Sequence, residues 1–204
     1  MAEAYNRRSA LQHFGLKAAA AQGDLASARV VIGESAHRAI VNIRGDGNDV
    51  AFVGAVRSIT GADLPVKPNT TAQAGDFRLL WLGPTEYWVV GPAGSEEKLV
   101  ADLRDAFIGQ HAAVVDVSES RAVITLSGPD ARAVLARGCS LDLHPRAFGP
   151  GQCAQTGLTK ANVLIDQRDG TPSYDIYVLK SFADYLWQWF GLIGRDFKMA
   201  IKAE

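Results

Sequence analysis

The sequence predicts an α+β fold: antiparallel sheets with helices packed on them. Three observations carry that expectation. Apolar runs of strand length recur with turn residues between them, and amphipathic helical segments with start and stop signals are interleaved among them. The ingredients of residues 37–111 then return in similar order over residues 112–204. The chain contains no G-x-G-x-x-G and no Walker sequence, so a dinucleotide or P-loop plan has no footing.

Residues 1–36 read as a loosely ordered N-terminal arm, and residues 37–204 as a domain of two similar halves. Within the arm, Lys17 to Ser27 is Ala-rich, carries Gly23 and has little apolar periodicity, while Leu11, Phe14 and Leu16 allow one short amphipathic turn. From His37 to Arg44 apolar Ala39, Val41 and Ile43 alternate with polar neighbours, apart from Ile40, which predicts a half-buried strand. Asp49 is placed to cap a helix whose Ala51, Phe52, Ala55, Val56 and Ile59 share one face, and Gly61 is placed to end it. Phe77 to Leu82 and Tyr87 to Val90, joined by Gly83-Pro84-Thr85-Glu86, give a hairpin signal. Ser95 with Glu96 and Glu97 opens a second helix carrying Leu99, Val100, Leu103 and Phe107, closed by Gly109.

In the second half, strands over Ala113–Val117 and Ala122–Leu126 lead through Gly128-Pro129 into a helix that Gly138 stops. Strands follow near Gln152–Leu158, Asn162–Asp166 and Tyr174–Leu179, the last two joined by Asp169-Gly170. A final helix opens at Ser181, with Asp184 completing a capping-box-like pattern. On it Phe182, Tyr185, Leu186 and Trp189 cluster on one face, with Trp187 about 130° from its centre. Trp189 is therefore expected in the core, while Trp187 either covers a loop of its own chain or sits at a partner contact.

Composition excludes several classes of function. With 204 residues and 48% hydrophobic content the chain buries a sizeable core without staples. Its net charge is −1 and its Lys and Arg are scattered, so nucleic acid is not an expected partner. No run approaches the length of a membrane span, and the N-terminus has no long apolar leader core, which makes the cytoplasm the expected location. Cys139 and Cys153 form no C-x-x-C pair and are expected to pack as small apolar groups.

The segment from Val114 to Ile165 resembles the folate-dependent aminomethyltransferase fold, as in the T protein of the glycine cleavage system. The resemblance rests on Asp116-Val117-Ser118, on Gly128-Pro129 and on the helix after them. Where that fold carries an Asn-Asp pair for the folate reaction this sequence has Leu141-Asp142, and its Gly-Gly is replaced by Ala161-Asn162. Over a longer span, LPVKPNT (64–70), LWLGPTEYWVV (80–90), VVDVSESRAVITLSGP (114–129), RGCSLDLHPRAF (137–148) and KSFADYLWQWF (180–190) resemble the gamma subunits of heterotetrameric bacterial sarcosine oxidases.

That resemblance implies a noncatalytic structural subunit in a complex that oxidatively demethylates sarcosine to glycine, hydrogen peroxide and methylenetetrahydrofolate. It also implies alpha, beta and delta partners, with FAD, FMN, NAD and tetrahydrofolate in alpha and beta, zinc in delta, and no cofactor in this chain. The alternative reading is a free-standing folate-dependent aminomethyltransferase or folate-binding protein that uses Asp142.

Read as residues alone, Asp142 is the one candidate acid or base, and a turn carboxylate is the simpler role. His144 and Arg146 stand beside Pro145 without a metal-ligand pattern, so they are interface candidates, as is Trp187. Ser118, Ser120 and His111 lack a nucleophile elbow, and Ser127-Gly128-Pro129-Asp130 suits helix capping better than anion binding.

Overall fold

The structure, a computed structural model, describes residues 7–203. Eleven strands are described: β1 (Val30–Glu34), β2 (Ala39–Arg44), β3 (Thr71–Ala74), β4 (Phe77–Gly83), β5 (Glu86–Gly91), β6 (Ala113–Asp116), β7 (Arg121–Ser127), β8 (Cys153–Leu158), β9 (Ala161–Asp169), β10 (Ser173–Leu179) and β11 (Met199–Lys202). Five α-helices accompany them: α1 (Leu16–Ala21), α2 (Val50–Thr60), α3 (Glu96–Ala106), α4 (Ala131–Ala136) and α5 (Ala183–Ile193). The strands form a six-stranded sheet ordered β11-β1-β7-β10-β9-β8 and a five-stranded sheet ordered β3-β4-β5-β2-β6. Pairing is antiparallel throughout except between β1 and β11, which makes the fold the α+β class that the sequence predicts.

Strand alternation stacks these elements into four layers. In β2 and β5, Val41, Ile43, Tyr87 and Val89 face α2 and α3, whereas Ile40, Trp88 and Val90 face the other sheet. In β7 and β10, Ile124, Leu126, Ile176 and Val178 face α4 and α5, whereas Val123 and Tyr177 face inward between the sheets. Each sheet thus has two covered faces, one under helices and one against its partner sheet.

Local chemistry explains most boundaries. Asp49 accepts a hydrogen bond from the Ala51 N–H at the start of α2, and Gly61, at φ 71°, closes it in the left-handed conformation that Gly tolerates. His37 has φ 59°, so the strand expected from it begins at Ala39. Pro129 lies before the cap residue Asp130 rather than at the first position of α4. Gly128, at φ 109°, lets the chain turn there, since a Cβ would sit 2.4 Å from the Arg29 carbonyl oxygen. Ser181 is not the cap of the last helix: Lys180–Phe182 is a 3-10 turn and Phe182 precedes α5 without a side-chain bond.

The arm expected over residues 1–36 contains ordered structure in its described part, while residues 1–6 lie outside the described residues. Val30-Val31-Ile32 is a β-branched run, and it enters the six-stranded sheet as β1 between β7 and β11. Leu11 is fully buried and its N–H is accepted by Glu34. Arg7 pairs with Glu96 at 2.6 Å and also with Glu119, which fixes the segment to the body. The sheets divide the chain otherwise than residues 37–111 and 112–204 do, because β6 pairs with β2 in the five-stranded sheet.

The last helix corrects the tryptophan assignment. Its buried stripe is Ala183, Leu186, Trp187 and Phe190, spaced i, i+3, i+4, i+7, and Trp187 is only 7% exposed. Phe14 packs 6.2 Å from the Trp187 ring, so the N-terminal segment supplies the cover. Phe182, Tyr185 and Leu192 form the outer face, 37–58% exposed, and Trp189 is half-buried. Small Ala183 marks the inner stripe, and helical periodicity read from the large residues alone picks the outer one.

Candidate functional site

The residues singled out from the sequence do not converge. Asp142, His144 and Arg146 lie exposed on the connection after α4. Asp142 accepts from the His144 N–H at 2.9 Å, and the His144 Nδ1 accepts from the Arg146 N–H at 3.2 Å. These are turn bonds, which leave Asp142 without a partner suited to moving a proton. Ser118 bonds Asp116 at 2.6 Å and accepts from the Ile40 N–H at 2.9 Å, while Ser120 donates to the Val117 carbonyl. The Ser118 hydroxyl thus ties the end of β6 to β2, the Ser120 hydroxyl closes a local turn, and neither bonds a histidine among the described residues. Asp130 grips Arg29 through two bonds of 2.5 and 2.7 Å, so the Ser127–Asp130 turn is closed by a cation of its own chain.

Cys139 and Cys153 are both free thiols. Cys153 points between the sheets against the Trp81 carbonyl, and burial pushes its thiol up to about 12. A thiol held that far above neutrality is inert. Among the described residues no group of three or more His, Cys, Asp or Glu side chains is arranged to hold a metal ion.

Functional groups gather instead in the layer between the sheets, which the sequence reading did not single out. Arg78 of β4 reaches across to Asp166 of β9 with its Nε and Nη2, each bond 2.5 Å long, and the Asp166 side chain is fully buried. Arg168 pairs with Asp175 of β10 at 2.9 Å, and the Tyr177 hydroxyl, buried beside them, has no hydrogen-bond partner among the described residues. Burial pushes the Tyr177 phenol well above its ordinary range, and nearby Asp175 and Asp166 push it the same way. The signal was present as strand parity: Arg78, Asp166 and Asp175 occupy inward positions of apolar strands.

Toward one end this layer opens into a cleft of about 500 Å³ between β2 and β5 on one wall and β7 to β10 on the other. Arg121, the first residue of β7, lies 5.3 Å over the Trp88 ring. Its Nη1 bonds the carbonyl and hydroxyl of Ser120, and burial lowers its pKa. Glu86, the acid of the same cleft, is already held by Asn42 at 2.7 Å and Arg44 at 2.9 Å.

Comparison with known proteins places this architecture. The family described as "Sarcosine oxidase, gamma subunit family" matches residues 44–194. Sarcosine oxidase subunit gamma of an Arthrobacter species is 36% identical over 90% of this chain and 87% of its own. That of Corynebacterium sp. strain P-1 is 37% identical with the same coverage. A chain of the heterotetrameric sarcosine oxidase of Corynebacterium sp. U-96, solved in complex with pyrrole 2-carboxylate, superposes with a TM-score of 0.83 at 30% identity, over 95% of this chain and 97% of that one. Aminomethyltransferase T of the Bartonella henselae glycine cleavage system superposes at 0.63, with 18% identity, over 85% of this chain but 48% of that one. The last likeness carries the fold and not the reaction.

Proposed function

The chain belongs to the sarcosine oxidase gamma subunit family, and on that basis we propose that it serves as a noncatalytic structural subunit of a heterotetrameric sarcosine oxidase. One observation carries the reading: nearly the whole chain superposes on nearly the whole of one chain from such a heterotetramer. The position of Asp142, exposed and engaged in a turn, supports a role without chemistry. It also argues against a free-standing aminomethyltransferase.

On this proposal the partners are alpha, beta and delta subunits, and the complex converts sarcosine to glycine in the cytoplasm. FAD, FMN, NAD, tetrahydrofolate and zinc belong to those partners. No described helix is long and apolar enough to cross a membrane, which agrees with that location. The exposed His144 and Arg146, together with Phe182, Tyr185 and Leu192 on the outer face of α5, are assigned to contacts with the other subunits. Trp187 drops out of that set because its own chain covers it.

Co-expression tests the proposal. With alpha, beta and delta present, the chain should co-purify in a stable complex, and omitting it should leave alpha and beta poorly soluble or incompletely loaded. Purified alone it should be colourless and unable to oxidise sarcosine. Submillimolar binding of tetrahydrofolate to the isolated chain, read by titration calorimetry, would favour the folate-binding alternative.

A further inference from the structure

Two arginines of this chain hold a carboxylate in the same way. Arg29 grips Asp130, and Arg78 grips Asp166, each through the edge formed by Nε and Nη2, one nitrogen to each carboxylate oxygen. Arg121 lines the cleft between the sheets, and there its Nε and Nη2 have no hydrogen-bond partner among the described residues. Its bonds to described residues run from Nη1 alone, to the carbonyl and hydroxyl of Ser120 at 3.3 and 3.2 Å, and they orient the guanidinium. The Trp88 ring lies beneath it, 5.3 Å from the guanidinium carbon, and supports it from one side.

Charge in the cleft points the same way. Its charged lining residues are Glu86 and Arg121, and Glu86 already carries a bond to each oxygen, from Asn42 and from the cation Arg44. What remains is one half-buried positive charge with no counter-ion among the described residues, in a space of about 500 Å³. Desolvating a guanidinium without a partner is unfavourable, and a ligand that supplies the missing anion recovers that cost. Thr156 and Asn162 add neutral polar groups to the lining, while the Gln155 amide already donates to the Leu82 carbonyl.

We propose that Arg121, oriented by Trp88 and Ser120, is a carboxylate-binding site in the cleft between the two sheets. The carboxylate has two sources, a free small acid or an acidic side chain of a neighbouring subunit, and both use the same two-point grip on Nε and Nη2.

The test has two arms and three variants: Arg121→Gln removes the charge, Arg121→Lys keeps charge without the fork, and Arg121→Glu reverses it. Arg121 is partly exposed at the end of a strand, and circular dichroism with thermal melting verifies that each variant folds. In the first arm the isolated full chain, labelled with ¹⁵N, is titrated with acetate and then benzoate while the Trp88 indole resonance is followed. Saturable shifts in the wild type, weakened at least tenfold in Arg121→Gln and partly kept in Arg121→Lys, identify a free acid as the ligand. In the second arm affinity for the co-expressed partner subunits is measured at low and high salt. A drop of tenfold or more for Arg121→Gln, larger for Arg121→Glu and reduced by salt, with no response to small acids, identifies a partner's side chain. No saturable shift in the first arm and unchanged affinity in the second overturn the proposal. Assembly of the wild-type complex is scored separately, so failure of this site and failure of the subunit assignment remain distinguishable.

Discussion

Arg78 of β4 holds Asp166 of β9 across the gap between the two sheets, with both Nε and Nη2 at 2.5 Å from its carboxylate oxygens. No other described salt bridge has both side chains so buried, at 7% and 0% exposure. Each sheet has an apolar inner face that would tolerate sliding, and the paired charges define one register. Arg78→Met or Asp166→Ala alone should cost about 3–5 kcal/mol, because either leaves an uncompensated buried charge. Arg78→Met with Asp166→Leu should recover most of that loss. Urea unfolding of the three variants measures both, and single losses below about 1 kcal/mol would mean that water reaches the pair.

The last helix separates its two tryptophans by burial. Trp187→Ala should cost about 3–5 kcal/mol of folding stability, since the ring lies within the core between α5 and Phe14. Trp189→Ala should cost less, because its ring is half-buried and borders Gly138. Thermal melts of the isolated chain rank the two, and a larger loss for Trp189 would reverse the helix faces.

Much of the fold was legible in the sequence, for reasons particular residues make clear. Asp49 and Gly61 bracket α2 because capping is local chemistry, and the hairpin of β4 and β5 needs nothing beyond its own turn. β1 was missed because Val30-Val31-Ile32 is too short to announce itself, and its partners lie far along the chain in β7 and β11. On α5 Leu186 was placed correctly in the core, but Trp189 was ranked above Trp187 because the cover of Trp187, Phe14, comes from the opposite end of the chain. The layer between the sheets stayed hidden for a related reason. Arg78 and Asp166 are 88 residues apart and become one feature only when the sheets stack.

Alkaline pH should destabilise this protein through Cys153 and Tyr177. Burial raises the Cys153 thiol to about 12 and the Tyr177 phenol well above its usual range, so the folded state holds protons that the unfolded state releases. The sign is therefore fixed: stability is intact below the ordinary thiol range near pH 8.5 and falls as pH climbs toward about 12. Tyr177→Phe should flatten that decline and cost little at neutral pH, because its hydroxyl is unpartnered. Stability measured from pH 7 to 11 in both proteins checks this. Iodoacetamide at pH 8 should label Cys153 only after unfolding.

Asp142→Ala in the assembled complex should leave sarcosine turnover nearly unchanged. Loss of a catalytic acid or base typically lowers rates by 10²–10⁴-fold. A fall of that size in kcat with assembly intact would make Asp142 a catalytic residue and overturn the noncatalytic reading.

The parallel pairing of β1 with β11 sets the order in which the molecule can be completed. Val30 lies beside Met199, a separation of 199 − 30 = 169 residues, whereas the five-stranded sheet closes within residues 39–116. During synthesis the second sheet can form as soon as β6 leaves the ribosome, while β1 has β7 but waits for its other edge until the final strand is free. Loop closure over that distance is slow compared with hairpin formation. Until then β1 keeps one side of its backbone unsatisfied, a site where a chaperone or another nascent chain can bind first.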